Sequence, residues 1–174
     1  HRNLDWRSLI QWIDYQPFLL KIEQNKIVGL LSCAPDPEGV AWIHCFAAND
    51  LNRYRESWQQ LLQSAKENPV LQKCILCSVG LIQWFNELLE SSGFSVLQEI
   101  VVLYWNGKIP PQIPLSPEMI IRPMESNDLD QVVQVDHTAF APIWEISRDS
   151  FQQVYLQSEH ASVAEIDGKI IGYE

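Results

Sequence analysis

Apolar residues in this chain fall into short alternating runs and two helical stripes, then a proline-rich break, after which the pattern restarts. Leu4, Leu9, Ile10 and Ile13 predict a first helix, which Pro17 ends. Phe18 to Glu23 and Lys26 to Ala34 predict two strands around a Gln24-Asn25 turn, together a hairpin. Pro35-Asp36-Pro37-Glu38-Gly39 turns the chain into a third strand, Val40 to Ala47. Leu51, Tyr54, Trp58, Leu61, Leu62 and Ala65 then share one stripe at helical spacing, closed by Asn68-Pro69. Leu71 to Val79 predicts a strand, and Leu81, Ile82, Phe85, Leu88 and Leu89 a helix that Gly93 ends. Ser95 to Trp105 supplies one or two final strands.

Four of the nine residues from Ile109 to Pro117 are proline. Proline removes donors and holds its neighbours extended, so this stretch reads as a semi-rigid linker. The organisation expected is residues 1–108, a linker over 109–117, and a second unit over 118–174. In that second unit Glu118 to Arg122 predicts a strand. Asn127 caps a helix to about Thr138, and Ser147 caps another carrying Phe151, Val154 and Tyr155. Ser162 to Ile166 and Lys169 to Tyr173 form a hairpin around Asp167-Gly168. Lys26-Ile27-Val28-Gly29 and Lys169-Ile170-Ile171-Gly172 occupy the same place in the two hairpins, 143 residues apart. Self-similarity at that scale suggests duplication.

Composition narrows the function classes. With 47% hydrophobic and 20% charged residues the chain is of globular type. No apolar run approaches the ~18 residues of a membrane span. The opening residues lack a signal-peptide core, so the cytoplasm is the expected compartment. Lys and Arg number 12 against 22 Asp and Glu. That balance argues against nucleic acid as a partner, despite seven tryptophans. The acid is concentrated late: residues 110–174 carry 3 basic and 11 acidic side chains, against 9 and 11 before them. Such a surface is soluble, and it also attracts a cationic substrate such as an amine. Cys74 and Cys77 lie on a predicted strand, where residues three apart face opposite sides, so they read as core cysteines and not as metal ligands.

Two stretches resemble the GNAT superfamily of acyl-CoA-dependent N-acetyltransferases. Ile120-Ile121-Arg122-Pro123-Met124, Asp128-Leu129-Asp130 and Ala139-Phe140 look like its opening strand and first helix. Ala164-Glu165-Ile166-Asp167-Gly168-Lys169-Ile170-Ile171-Gly172 looks like its second and third strands. Residues 18–105 follow the order of the rest of such a domain. The resemblance implies an α/β (α+β) fold with a mixed, mostly antiparallel sheet flanked by helices, plus the N-terminal part of a second such unit. It also implies a tandem protein whose first unit is degenerate and whose second is cut short. The implied activity is transfer of an acetyl group from acetyl-CoA to a small-molecule or protein amine. The alternative is a non-catalytic GNAT-like binding or dimerisation module. An unfinished sheet leaves an open edge, so a homodimer through that edge is expected.

The resemblance also assigns candidate residues. The family's pyrophosphate loop, Q/R-x-x-G-x-G/A, falls on Arg53-Tyr54-Arg55-Glu56-Ser57-Trp58. Arg53, Tyr54, Arg55 and Ser57 are the candidate cofactor-binding residues. Glu56 and Trp58 stand where small residues belong, so binding of acetyl-CoA by this chain is doubtful: a carboxylate repels the phosphates and an indole obstructs the backbone. The family's general-acid tyrosine falls on Leu89, which has no proton to donate; Tyr104 is the candidate substitute. Glu23, Glu165 and His44 are candidate bases for the amine. His137, Phe140 and Trp144, with Phe151 near them, are the candidate acceptor pocket. No metal site is expected.

Overall fold

The structure is a computed structural model, and it describes residues 7, 9–101, 107, 114 and 116–174. The first unit runs α1 (Leu9–Trp12), β1 (Phe18–Glu23), β2 (Lys26–Ser32), β3 (Val40–Trp42), β4 (Cys45–Ala48), α2 (Tyr54–Glu67), β5 (Ile75–Cys77) and α3 (Gln83–Ser91). The second runs β6 (Met119–Pro123), α4 (Leu129–Ala139), α5 (Arg148–Gln157), β7 (Ser162–Ile166) and β8 (Lys169–Tyr173). The fold is therefore mixed α+β, with largely antiparallel sheets flanked by helices. Strand order is β1-β2-β4 in one sheet, β3-β5 in a parallel pair, and β6-β7-β8 in the last.

Two apolar clusters hold these layers. In the first, α2 turns Trp58, Leu61, Leu62 and Ala65 onto Leu31 and Phe46 of the sheet, and α3 adds Phe85 and Leu88. Gly29 lets α2 come close: a Cβ there would meet Leu61 Cδ1 at 3.4 Å. In the second, α4 and α5 bring Leu129, Val132 and Phe151 onto Val163 and Ile170.

The two hairpins repeat in backbone detail. In the first, Lys21 pairs with Gly29 and Ile22 with Ile27, so Val28 is an extra residue in β2. In the second, Ala164 pairs with Gly172 and Glu165 with Ile170, so Ile171 is the extra residue. These positions correspond at the same 143-residue offset as the Lys-Ile-aliphatic-Gly match. Both turns hold two residues at positive φ, Gln24 and Asn25 in one, Asp167 and Gly168 in the other. That conformation matches the twist of a hairpin.

Several sequence expectations need correction. Helix α1 covers only Leu9–Trp12 among the described residues. The third strand is interrupted at Ile43-His44, because its two halves serve different neighbours. Leu71–Lys73 is a 3-10 turn, so the following strand shortens to Ile75–Cys77. Residues 95–101 form no strand, and 102–106 lie outside the described residues. Before α4 the cap is not Asn127: Glu125 and Asp128 form a reciprocal capping box. Ser147 caps α5, accepting from the Ser150 amide at 3.2 Å. After α3, Gly93 sits at φ +86 while the Phe94 amide returns to the Leu89 carbonyl at 3.0 Å, a glycine-terminated helix end.

Candidate functional site

A first candidate lies where the parallel strands part. The Ile43 amide donates to the Cys77 carbonyl at 2.8 Å, and the next amide, His44, turns to the Ser32 carbonyl at 2.9 Å. From there Cys45–Ala48 pairs with β2, and residues 78–80 leave the ladder. His44 is buried at this branch, its ring stacked on Trp12 with centroids 3.5 Å apart and planes 19° from parallel. Ser32 Oγ and Trp12 Nε1 are buried there without a hydrogen-bond partner among the described residues.

Trp12 is held in place by a clasp. The Arg7 guanidinium lies 4.5 Å from the Trp12 ring centre and 4.8 Å from that of Tyr15. It donates to Asp36 Oδ2 at 2.8 Å and to Ser150 Oγ, and the Ser150 hydroxyl in turn donates to Asp36. A cation on two aromatic faces with a carboxylate beside it is a strongly held group. The clasp joins the N-terminal segment, the turn before β3 and the N-terminus of α5. Nothing local in the sequence marks Arg7, Trp12, Asp36 or Ser150 as neighbours, because they come from three distant segments.

A second candidate is the N-terminus of α2. Arg53 stands at the N-cap position. It donates to both Glu23 oxygens, at 2.9 and 3.0 Å, and to both Glu56 oxygens at 3.1 Å. Lys21 Nζ lies 3.1 Å from Glu23 and 3.5 Å from Glu56, and donates to Ser57 Oγ at 3.3 Å. Hydrogen bonds from Arg53 first, and from Lys21, hold the Glu23 carboxyl below its usual range. The same arginine depresses Glu56. Its own pKa rises in return, through Glu56 first and Glu23 next. A helix N-terminus favours an anion. Here Glu56, in the first turn, and Glu23 supply that charge.

The other loop positions are also engaged. Arg55 lies over the Tyr54 ring at 5.3 Å and pairs with Glu87 at 3.3 Å. Tyr54 meets Trp84 edge-on. Ser57 is buried. Trp58 is fully buried against Phe46 and Phe85, its indole N–H donating to Ser92 Oγ at 2.7 Å. Leu89 is buried in the core. Tyr104 lies outside the described residues.

The acceptor candidates are spread out. His137, in the last turn of α4, sets Nε2 3.3 Å from the Ile146 carbonyl, with Glu145 3.8 Å from Nδ1. Phe140 is half exposed at the end of that helix. Trp144 reaches the first unit, touching Trp42 at 5.1 Å and donating to Gln98 at 2.8 Å. It lines a groove of about 940 Å³ with Trp42, Cys77, Gly80, Val96 and Ile100. His137 and Phe140 do not line that groove. Phe151 is core.

Glu165 is tied to Arg122 at 2.9 Å, and Arg122 also grips both oxygens of Asp128. Sequence reasoning missed Asp136, whose buried carboxylate accepts from Tyr173 Oη at 2.5 Å and the Ile146 amide at 2.9 Å. Burial, with Asp136 second, pushes the Tyr173 phenol up. Among the described residues no group of three or more His, Cys, Asp or Glu could hold a metal ion. No described helix is long and apolar enough to cross a membrane. No protein-family model matches the chain and no curated protein matches it, so the site is read from its own geometry.

Proposed function

We propose that the chain serves GNAT-type N-acetyl transfer from acetyl-CoA to an amine, and that its first unit is a supporting scaffold that does not hold the cofactor. The observation that carries this reading is the carboxylate-filled N-terminus of α2. Arg53, the one loop residue that fits the family's pattern, spends its donors on Glu23 and Glu56. A pyrophosphate would have to displace two carboxylates from one guanidinium and face Glu56 at the helix end. The opening after Ile43 and Cys77 supports the acetyl-transfer part. In this reading the parting of the strands is the family trait that is kept, although the Ile43 and His44 amides are both bonded there and His44, the candidate base, lies under Trp12. Trp12 covers that histidine, which fits the scaffold role.

Calorimetric titration with acetyl-CoA tests the scaffold assignment, and a product assay with an amine acceptor tests the transfer. The wild-type chain should give no saturable heat at about 1 mM, a ceiling near −4 kcal/mol. The double variant Glu23→Ala/Glu56→Ala, which takes both carboxylates off Arg53 and removes the repelling charge at the helix end, should gain measurable binding. Micromolar binding by the wild type that Arg53→Ala abolishes would overturn the scaffold assignment. Failure of the double variant to gain any binding would show that the two carboxylates are not what keeps acetyl-CoA from this unit, and the observation that carries the reading would be lost.

A further inference from the structure

Ile146 ends the loop between α4 and α5, and side chains of α4 hold both of its backbone groups. Its amide donates to Asp136 Oδ2 at 2.9 Å, and its carbonyl lies 3.3 Å from His137 Nε2. The other Asp136 oxygen accepts from Tyr173 Oη, on β8, at 2.5 Å. Asp136 is fully buried, so water has no access to replace either bond. One carboxylate thus joins the β7–β8 hairpin to the loop. Tyr173 is held at that place by Phe151 of α5, whose ring it meets edge-on at 5.3 Å.

Two residues before Ile146, Trp144 leaves the second unit. Its indole lies 5.1 Å from that of Trp42 and donates to Gln98 Oε1 at 2.8 Å. Ile143 and Trp144 form a wall of the groove of about 940 Å³. Residues 141–147 belong to no helix or strand, and the Trp144 amide only closes a turn on the Ala141 carbonyl at 2.7 Å. No ladder sets where the indole stands. A carboxylate bonded through both oxygens cannot turn without losing both bonds, and bonds to a charged acceptor are the stronger kind. We propose that Asp136 and Tyr173 are positioning residues for this wall of the groove. They fix Ile146 so that Trp144 reaches Trp42, and a displacement of β8 withdraws the indole. The inference stands on these bonds and does not depend on acetyl transfer.

Near-ultraviolet circular dichroism of the full chain tests it. The difference between wild type and Trp144→Phe, at the long-wavelength edge where tryptophan alone absorbs, defines the signal of the Trp42–Trp144 pair. Tyr173→Phe removes one hydroxyl and should lose most of that signal, with the far-ultraviolet spectrum unchanged. Ile170→Val trims the same core, removes no hydrogen bond and should keep the signal. Survival of the pair signal in Tyr173→Phe overturns the proposal, and so does an equal loss in Ile170→Val. A second measurement leaves the buried carboxylate and its partners intact. Coupling between two sites is reciprocal, so Trp144→Ala should speed hydrogen exchange of the Ile146 amide about ten-fold or more while the amides of β7 keep their rates. Unchanged exchange at Ile146 overturns the proposal as well.

Discussion

Asp128 shows how one side chain fixes an element. It closes the capping box before α4, accepting from the Glu125 amide at 2.8 Å, and takes two bonds from Arg122 at 2.7 and 2.9 Å. Arg122 first, then the amide, holds its carboxyl below the usual value. A carboxylate with a depressed folded-state pKa stabilises the fold above the unfolded value, about 3.9, and that contribution is lost as pH falls through the folded value. Asp128→Asn should therefore be less stable than wild type in urea at about pH 7, with the gap closing near pH 2. A gap that stays constant between those conditions would show that Asp128 acts only through shape. Cys33 obeys the opposite rule. Burial pushes its thiol up to about 12, so it stays protonated and behaves as a small apolar core residue.

At the scale of elements, the repeat makes a paired experiment available. Gly29 and Gly172 hold the same place in the two hairpins, but only Gly29 lies under a helix. A side chain at Gly29 meets Leu61, whereas one at Gly172 finds only Ala164 Cβ at 3.8 Å. Gly29→Val should cost about 1–3 kcal/mol in urea unfolding through overpacking, and Gly172→Val should be near neutral. Equal costs would mean that the covering faces are assigned wrongly. The hairpins themselves were legible in the sequence, because alternation and a two-residue turn are local signals. So were the core stripe of α2 and the Ser147 cap. The interruption at Ile43-His44 was not, since it depends on two partner strands competing for one. The strand forecast for Ser95 to Trp105 fails over its described part, 95–101, for a related reason: Val96, Leu97 and Val101 have strand propensity, yet a ladder needs a partner and none of the described residues pairs with them. At the α2 end, the sequence did reveal that Glu56 and Trp58 break the loop pattern. It did not reveal that Glu23, thirty residues earlier, completes the grip on Arg53.

For the molecule as a whole, the Arg7 clasp and the Trp42–Trp144 contact tie the two units together. Arg7 is buried with its charge answered by Asp36, whose side chain is itself largely covered. Removing one member of a buried pair leaves the other charge uncompensated. Asp36→Ala should cost about 3–5 kcal/mol. It should also broaden a single calorimetric melting transition or split it into two, as one of the ties between the units is weakened while the Trp144 contacts remain. One unshifted transition in the variant would show that the clasp carries no coupling. The divided third strand also orders events in time. Cys45–Ala48 closes on β2 across a short loop, while Val40–Trp42 must wait for Ile75–Cys77 to return over the whole length of α2. Short loops close sooner than long ones. During folding, one half of a single stretch of chain is therefore anchored while the other half still lacks its neighbour. The parallel pairing beside His44 is the longer closure of the two, and it spans the whole of α2.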